Sequence, residues 1–177
     1  MRSEEIFAGF TVPAGKARFD EQIQLGGEPN DCKVSSRDTQ GAMSAFEFTG
    51  TSGGPRHLHH EQDEWIYVVD GEVEIELEGA SRHLLPGESV FIPRKAKHVW
   101  AAAGGSPARI IDVYQPAGKM EDFFRQIGAY SPEEPLHHAL PIDQLRQLFE
   151  THGMHLAGPP LAGEWTVGEQ GRIVRIA

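Results

Sequence analysis

The sequence predicts an all-β protein, an antiparallel barrel or sandwich with two helices appended towards the C-terminal end. From Asp31 to about Gln115, short runs of alternating apolar and polar residues are punctuated by Gly and Pro. From about Met120 the apolar spacing changes to that of a helix. A chain of 177 residues suits one domain closing one sizeable core.

The stretch up to Gly27 is weakly patterned and is read as edge strands or as an arm lying across a partner subunit. Cys32, the single cysteine, reads as a small, half-buried strand residue; alone it forms no intramolecular disulfide, so nothing argues for an oxidising compartment. Ala42 to Thr49 is the next strand. Glu64 to Asp70 and Glu72 to Glu78 form the clearest strand pair, joined through Asp70-Gly71, a dipeptide that favours a tight hairpin turn. In the second of these, Val73, Ile75 and Leu77 face the core while Glu72, Glu74, Glu76 and Glu78 face water. In the first, Glu64 shares a face with Ile66 and Val68, and Trp65 and Tyr67 point the other way, towards the helices or a partner subunit.

Arg82 to Leu85, Ser89 to Ile92, His98 to Ala102 and Ala108 to Tyr114 complete the strands, separated by Pro86-Gly87, Pro93 and Gly104-Gly105-Ser106-Pro107. Met120, Phe123, Phe124 and Ile127 lie at helical spacing, with Gly128 placed as a C-terminal stop. A second helix is expected from Ile142 to His152, striped by Ile142, Leu145, Leu148 and Phe149, with Pro141 near its start and Gly153 past its end. Both helices are expected to pack on the outside of the barrel, joined by a loop from Ser131 to Leu140. Gly158-Pro159-Pro160 begins a tail with no assignable pattern, and the chain has no internal repeat or low-complexity block.

The 16 Lys and Arg against 26 Asp and Glu give a formal charge of −10, which repels phosphate backbones and anionic lipid. Neither nucleic acid nor a membrane surface is an expected partner. The N-terminus shows no apolar segment before a small-residue cleavage site, and no apolar run approaches membrane-spanning length, so a cytoplasmic protein is expected.

The residues that carry chemistry lie between Gly54 and His98. Side chains alternate along a strand with period two, so His57 and His59 present both imidazoles on one face. Burying Ile66 and Val68 carries Glu64 inside with them, where a carboxylate is costly unless paired or metal-bound. His98 adds a third imidazole from a separate strand. Three neutral imidazoles and one carboxylate suit a divalent transition metal (iron, manganese, nickel, cobalt, copper or zinc), and a six-coordinate ion would keep positions open. Alternation turns His60 away from this set, and Glu61 and Asp63 with it; His83 is expected at the surface. His137-His138 lies in the loop, and Gly153 interrupts any helical pairing of His152 with His155. Trp100 shares the face of His98 and offers an aromatic wall for a planar substrate; Phe46, Phe48, Ile110 and Tyr114 are further candidates for the pocket lining.

These motifs resemble the cupin superfamily. Its first motif, two histidines one residue apart, then a glutamate and later a glycine, is matched by His57, His59, Glu64 and Gly71. Its second is matched by Gly87, Pro93 and His98. Thr51, Lys95 and Ala102 stand where the family has glycine, glycine and asparagine. The resemblance implies a double-stranded β-helix, the cupin or jelly-roll barrel, over about residues 30–115, with a helical extension over about 119–155 and a tail over 158–177. The two helices followed by Gly-Pro-Pro are similar to small bacterial cupins labelled quercetin dioxygenase-like. That likeness implies a divalent metal held by His57, His59, Glu64 and His98, with Glu64 as both ligand and catalytic base. It also implies a homodimer and a dioxygenase reaction on a small enol, flavonol-like or diketone substrate. A metal-dependent isomerase or lyase on a sugar-like or keto-acid substrate, and a noncatalytic cupin that binds metal or a small ligand, are the alternatives.

Overall fold

The computed structural model describes residues 9–51, 53–130 and 140–161, together with the backbone of two short strands beyond them. In chain order the strands are β1 (Gln24–Leu25), β2 (Glu28–Val34), β3 (Ser44–Gly50), β4 (Pro55–His59), β5 (Asp63–Asp70), β6 (Val73–Leu77), β7 (Ala80–Leu84), β8 (Ser89–Ile92), β9 (His98–Ala102) and β10 (Ala108–Gln115). The helices α1 (Met120–Tyr130) and α2 (Ile142–Thr151) follow, then β11 (Met154–Pro160), β12 (Trp165–Val167) and β13 (Ile173–Arg175). The loop histidines His137 and His138 lie outside the described residues. Among the described residues no helix is long and apolar enough to cross a membrane.

Two antiparallel sheets face each other, one ordered β1-β2-β3-β10-β5-β8 and the other β11-β4-β9-β6-β7. The inward residues of both meet in one buried cluster: Phe48, Ile66, Val68 and Ile110 from the first sheet, Val73, Ile75 and Trp100 from the second. This is the all-β double-stranded barrel with two helices that the family resemblance implies. Alternation places the faces as expected, with Glu64, Ile66 and Val68 buried on β5 and Val73 and Ile75 buried on β6.

Three local readings are corrected. Strands β5 and β6 are not a hairpin: β5 pairs with β8 and β10, and β6 with β7 and β9. The Asp70-Gly71 turn instead carries the chain from one sheet to the other. Gly71 has φ +75°, and a Cβ there would lie 2.9 Å from both the Pro107 oxygen and the Ala108 Cα. The two-residue hairpin is β6–β7, where Leu77 faces Ala80 and both Glu78 (φ +50°) and Gly79 (φ +80°) are left-handed, as a type I′ turn requires.

Gly128 does not stop α1, which runs on to Tyr130. Its missing side chain serves packing, since a Cβ there would meet the Gln24 oxygen at 3.0 Å. Residues 154–160, read as a helix end and the start of a tail, form β11, whose Met154 and Leu156 pair with His59 and His57. Trp65 and Tyr67 stack on each other at 5.7 Å on the outer face of β5, with Trp65 38% exposed.

The helices pack outside the strands and close over the barrel. Met120, Phe123, Phe124 and Ile127 of α1 and Leu145, Leu148 and Phe149 of α2 form a second cluster with Phe46, Tyr114, Met154 and Leu156. The two clusters divide the interior into a dry half between the sheets and a half shared with the helices.

Candidate metal centre

Pro55 opens β4, a position where its missing N–H costs no ladder bond. Alternation then sets His57 and His59 on the inner face. His98, the first residue of β9, pairs directly with His57, their rings 4.4 Å apart. Glu64 comes from the facing sheet, where β5 places it opposite Tyr114 on β10 and Ile92 on β8. One ligand-type atom from each of His57, His59, Glu64 and His98 lies within 4.8 Å of all the others.

The local hydrogen bonds orient these rings. The Nδ1 of His57 lies 2.8 Å from the Pro55 carbonyl oxygen and that of His98 lies 3.0 Å from the Ala96 carbonyl oxygen. Donation from Nδ1–H at both leaves Nε2 with its lone pair free, the tautomer that metal-binding histidines adopt. The loop before β9 is tied to the first motif by Lys95, whose N–H donates to the His59 carbonyl at 2.7 Å. Lys95 does so with φ +70°, which explains why a glycine belongs at that position of the motif.

The donor set fits a divalent ion. Both ring nitrogens of His59, the Glu64 Oε2 and the His98 Nε2 are buried without a hydrogen-bond partner. The Glu64 Oε2 lies 3.2 Å from His59 Nε2 and 2.9 Å from His98 Nε2, close in distance but without hydrogen-bond geometry. Buried polar atoms left unpaired are costly, and an ion among them satisfies three at once, taking one of the two His59 nitrogens.

Electrostatics distinguish the members. Burial, and then the charges of His98 and His59, push His57 well below the usual imidazole range, so it is neutral and able to ligate. Burial alone would raise Glu64, but the imidazoles of His98 and His59 outweigh it and hold the carboxyl well below its usual range. Burial lowers His98, yet Glu64 beside it leaves it raised overall. Glu64 thus favours the protonated form of the His98 imidazole, and ligation of a metal by its Nε2 would work against that preference.

Sequence reasoning missed Asp112. Burial, and then the charge of Glu64, push its carboxyl well above the usual range, and its Oδ2 accepts a hydrogen bond from the Tyr114 hydroxyl at 2.5 Å. Burial and the neighbouring Asp112 and Glu64 also raise Tyr114 well above a normal phenol. The signal was present: Ala108, Ile110, Asp112 and Tyr114 alternate inward on β10 just as Glu64 does on β5.

Two of the four, His57 and Glu64, line a cavity of about 210 Å³. Trp100, Phe48 and Tyr114 line it as expected, and the helices add Met120, Phe123, Phe124, Ile127 and Phe149. Phe46 and Ile110 do not line it. Phe46 is fully buried behind it against Tyr114 and Phe124, and Ile110 sits in the dry half. Trp100 reaches the wall only because Gly53 has no side chain, since a Cβ there would lie 2.3 Å from the indole nitrogen. Among the described residues the other histidines stay apart from this centre. His60 is exposed near Glu150, His83 pairs with Glu72 at 2.9 Å, and His155 pairs with Glu150 at 2.6 Å. His152 is buried but bonded to the Leu148 carbonyl. Asp63 faces outward and pairs with Arg94.

Comparison with known proteins agrees with this geometry. Residues 47–114 match the cupin domain family, so the barrel of this chain contains a cupin domain. Its fold is shared with KdgF from Halomonas sp., at 24% identity and a TM-score of 0.51, over 62% of this chain and 94% of that one. It is likewise shared with an RmlC-like cupin from Shewanella frigidimarina, at 20% identity and a TM-score of 0.52, over 66% and 96% of the two chains. A nucleoside dehydratase, Pac13, shares it at 10% identity and a TM-score of 0.51, over 65% and 88%. No curated protein matches the sequence.

Proposed function

We propose that this cupin is a metal-dependent dioxygenase acting on a small enol or diketone, with the ion held by His57, His59, Glu64 and His98. The supporting observation is the buried three-histidine, one-carboxylate cluster opening directly onto a largely apolar, aromatic-walled cavity. At about 210 Å³ that cavity falls below the roughly 300–1,000 Å³ of drug-sized sites, which favours a compact diketone over a flavonol. When bound, the ion supplies a Lewis acid and open coordination positions for substrate and dioxygen. The chain's own contribution is to fix the imidazole tautomers through Pro55 and Ala96, to exclude bulk water with the aromatic residues of α1 and α2, and to offer Glu64 as acceptor of the substrate's acidic proton. Asp112 and Tyr114 stand behind Glu64 as a hydrogen-bonded pair that restricts its carboxylate.

A second reading has an observation in its favour. Glu28, Asn30 and Asp112 add polar groups to the cavity wall, as a Lewis-acid isomerase or lyase on a sugar-like or keto-acid substrate would need. The cytoplasm is the proposed location, supported by the buried free thiol of Cys32. A homodimer is proposed, supported by Trp65 and the 59% exposed Phe91 opposite it on the outer face of the β5–β8 pair. The discriminating experiment is oxygen uptake by protein reconstituted with iron, manganese, nickel or cobalt, using pentane-2,4-dione and related enols. Uptake dependent on His59 supports the dioxygenase. Turnover of keto acids or sugars without uptake transfers the site to the second reading, and no turnover with any metal leaves a binding protein.

A further inference from the structure

One group in the cavity wall is used neither by the fold nor by the metal cluster. Asn30 lies on β2, buried to 2% exposure, and lines the cavity. Its backbone N–H is engaged with the Ile23 carbonyl at 2.9 Å, but its side-chain Nδ2 is buried without a hydrogen-bond partner. Neighbouring Glu28, by contrast, is occupied: its Oε1 accepts from both the N–H and the hydroxyl of Thr51 at 2.7 Å. A buried amide left unpaired is unfavourable, and in a native cavity such a group points to something that is to be bound.

Its place in the sheet separates it from the metal. Asn30 faces Phe48 on β3, which faces Ile110 on β10, which faces Val68 on β5. Three strand spacings, on the order of 14 Å measured along the curved sheet, therefore lie between β2 and β5. Between the two ends the wall is apolar, built from Phe48, Trp100, Phe124 and Ile127. The cavity thus has a liganding end, an apolar middle and a single amide at the far side.

We propose that Asn30 is a specificity-determining residue that hydrogen-bonds an oxygen at the far end of the substrate. The substrate class is a compact, mostly apolar enol or dione bearing a hydroxyl or carbonyl oxygen remote from its metal-binding group. The inference rests on the reading of the cavity as a substrate site for such molecules, and it adds the distal oxygen.

The test compares 1-phenylbutane-1,3-dione with 1-(4-hydroxyphenyl)butane-1,3-dione by calorimetric titration of the zinc-loaded protein, in which no oxidation competes with binding. The wild type should prefer the hydroxylated probe by about three- to tenfold, the span that one neutral hydrogen bond contributes. Asn30→Leu should reduce that preference to less than about twofold while leaving metal content unchanged. If Asn30→Leu does not fold, Asn30→Ala is read in the same way. A preference that survives the substitution overturns the inference. So does the absence of a preference in the wild type, because a trapped water would then satisfy the amide. Failure of either probe to bind removes the substrate class and the inference with it. Should the preference depend on Asn30 while the iron form consumes no oxygen, the dioxygenase reading falls and the distal contact stands.

Discussion

Strand β5 runs through two environments that are equally buried and chemically opposite. Glu64, Ile66 and Val68 all face inward and all are 2% exposed or less. Val68 and Ile66 pack with Ile110, Val73 and Ile75 in an apolar cluster, and Asp112, opposite Ile66 on β10, marks its boundary. Around Glu64 stand His59, His98, Asp112 and Tyr114, and Ser44 lies in the same row across β10, its hydroxyl also unpartnered. Burial alone therefore does not separate core from site. The dry half gains stability from the area it removes from water. The liganding half holds polar atoms out of water with their bonds unmade, a free-energy deficit that a bound ion would offset. The first half is the scaffold that keeps the second in place.

The largest effect expected is on the ion. His98→Ala removes the ligand that β9 contributes and should weaken metal affinity beyond the roughly 10–100-fold that outer-shell losses cause. Competition with a chelator measures this, and near-stoichiometric metal in the variant would remove His98 from the centre. Ile66→Ala, two residues from Glu64 on the same face, should do the reverse. It should cost about 2–5 kcal/mol in urea unfolding while changing the metal affinity of the folded protein only a fewfold. If Ile66→Ala loosens the ion as strongly as His98→Ala does, the two halves are one unit and the contrast fails.

The sequence displayed the contrast only in part. Period-two alternation gave the inward faces of β5 and β6, and the spacing of His57, His59, Glu64 and His98 gave the cluster, because both are local properties of a strand. Applied to β10, the same alternation would have exposed Asp112. Sheet partnership was not legible: Asp70-Gly71 has hairpin chemistry, yet the turn changes sheets, with Pro107 and Ala108 close against Gly71. Strand β11 was hidden because Gly158-Pro159-Pro160 reads as a breaker, while at a sheet edge next to β4 those residues are tolerated. The apolar stripes of α1 and α2 announced helices, but nothing in a stripe says that Phe123, Phe124 and Phe149 would wall a cavity rather than pack on a sheet. Asn30 gave no signal at all, since an isolated polar residue in a weakly patterned stretch looks like surface.

Two carboxylates on opposite sides of this boundary supply the smaller tests, and they have opposite signs. In the metal-free protein, burial beside Glu64 keeps Asp112 protonated well above the usual carboxylate range. The folded state then holds a proton that the unfolded chain releases, and stability falls as pH rises past the unfolded value. Asp112→Asn should therefore stabilise the metal-free protein at pH 7 by about 1–2 kcal/mol. The gain should vanish below about pH 4, where the unfolded carboxyl is protonated too; a gain that persists there would trace to packing. Asp63, one residue from Glu64 but facing out, is the counterpart. Hydrogen bonds from the Arg94 side chain and backbone lower it to about 2. That contribution is complete above the unfolded value and is lost as pH falls through the folded one. Asp63→Asn should therefore lower the pH 7 melting temperature by only about 1–2 °C, as expected of a solvent-screened pair. The difference from wild type should close as pH approaches 2. Salt separates the two carboxylates further: 1 M sodium chloride, with a Debye length of about 3 Å, should shrink the Asp63 effect and leave the Asp112 effect in place. Equal salt sensitivity of the two would mean that water reaches Asp112, and that the liganding half is not the enclosed environment its burial indicates.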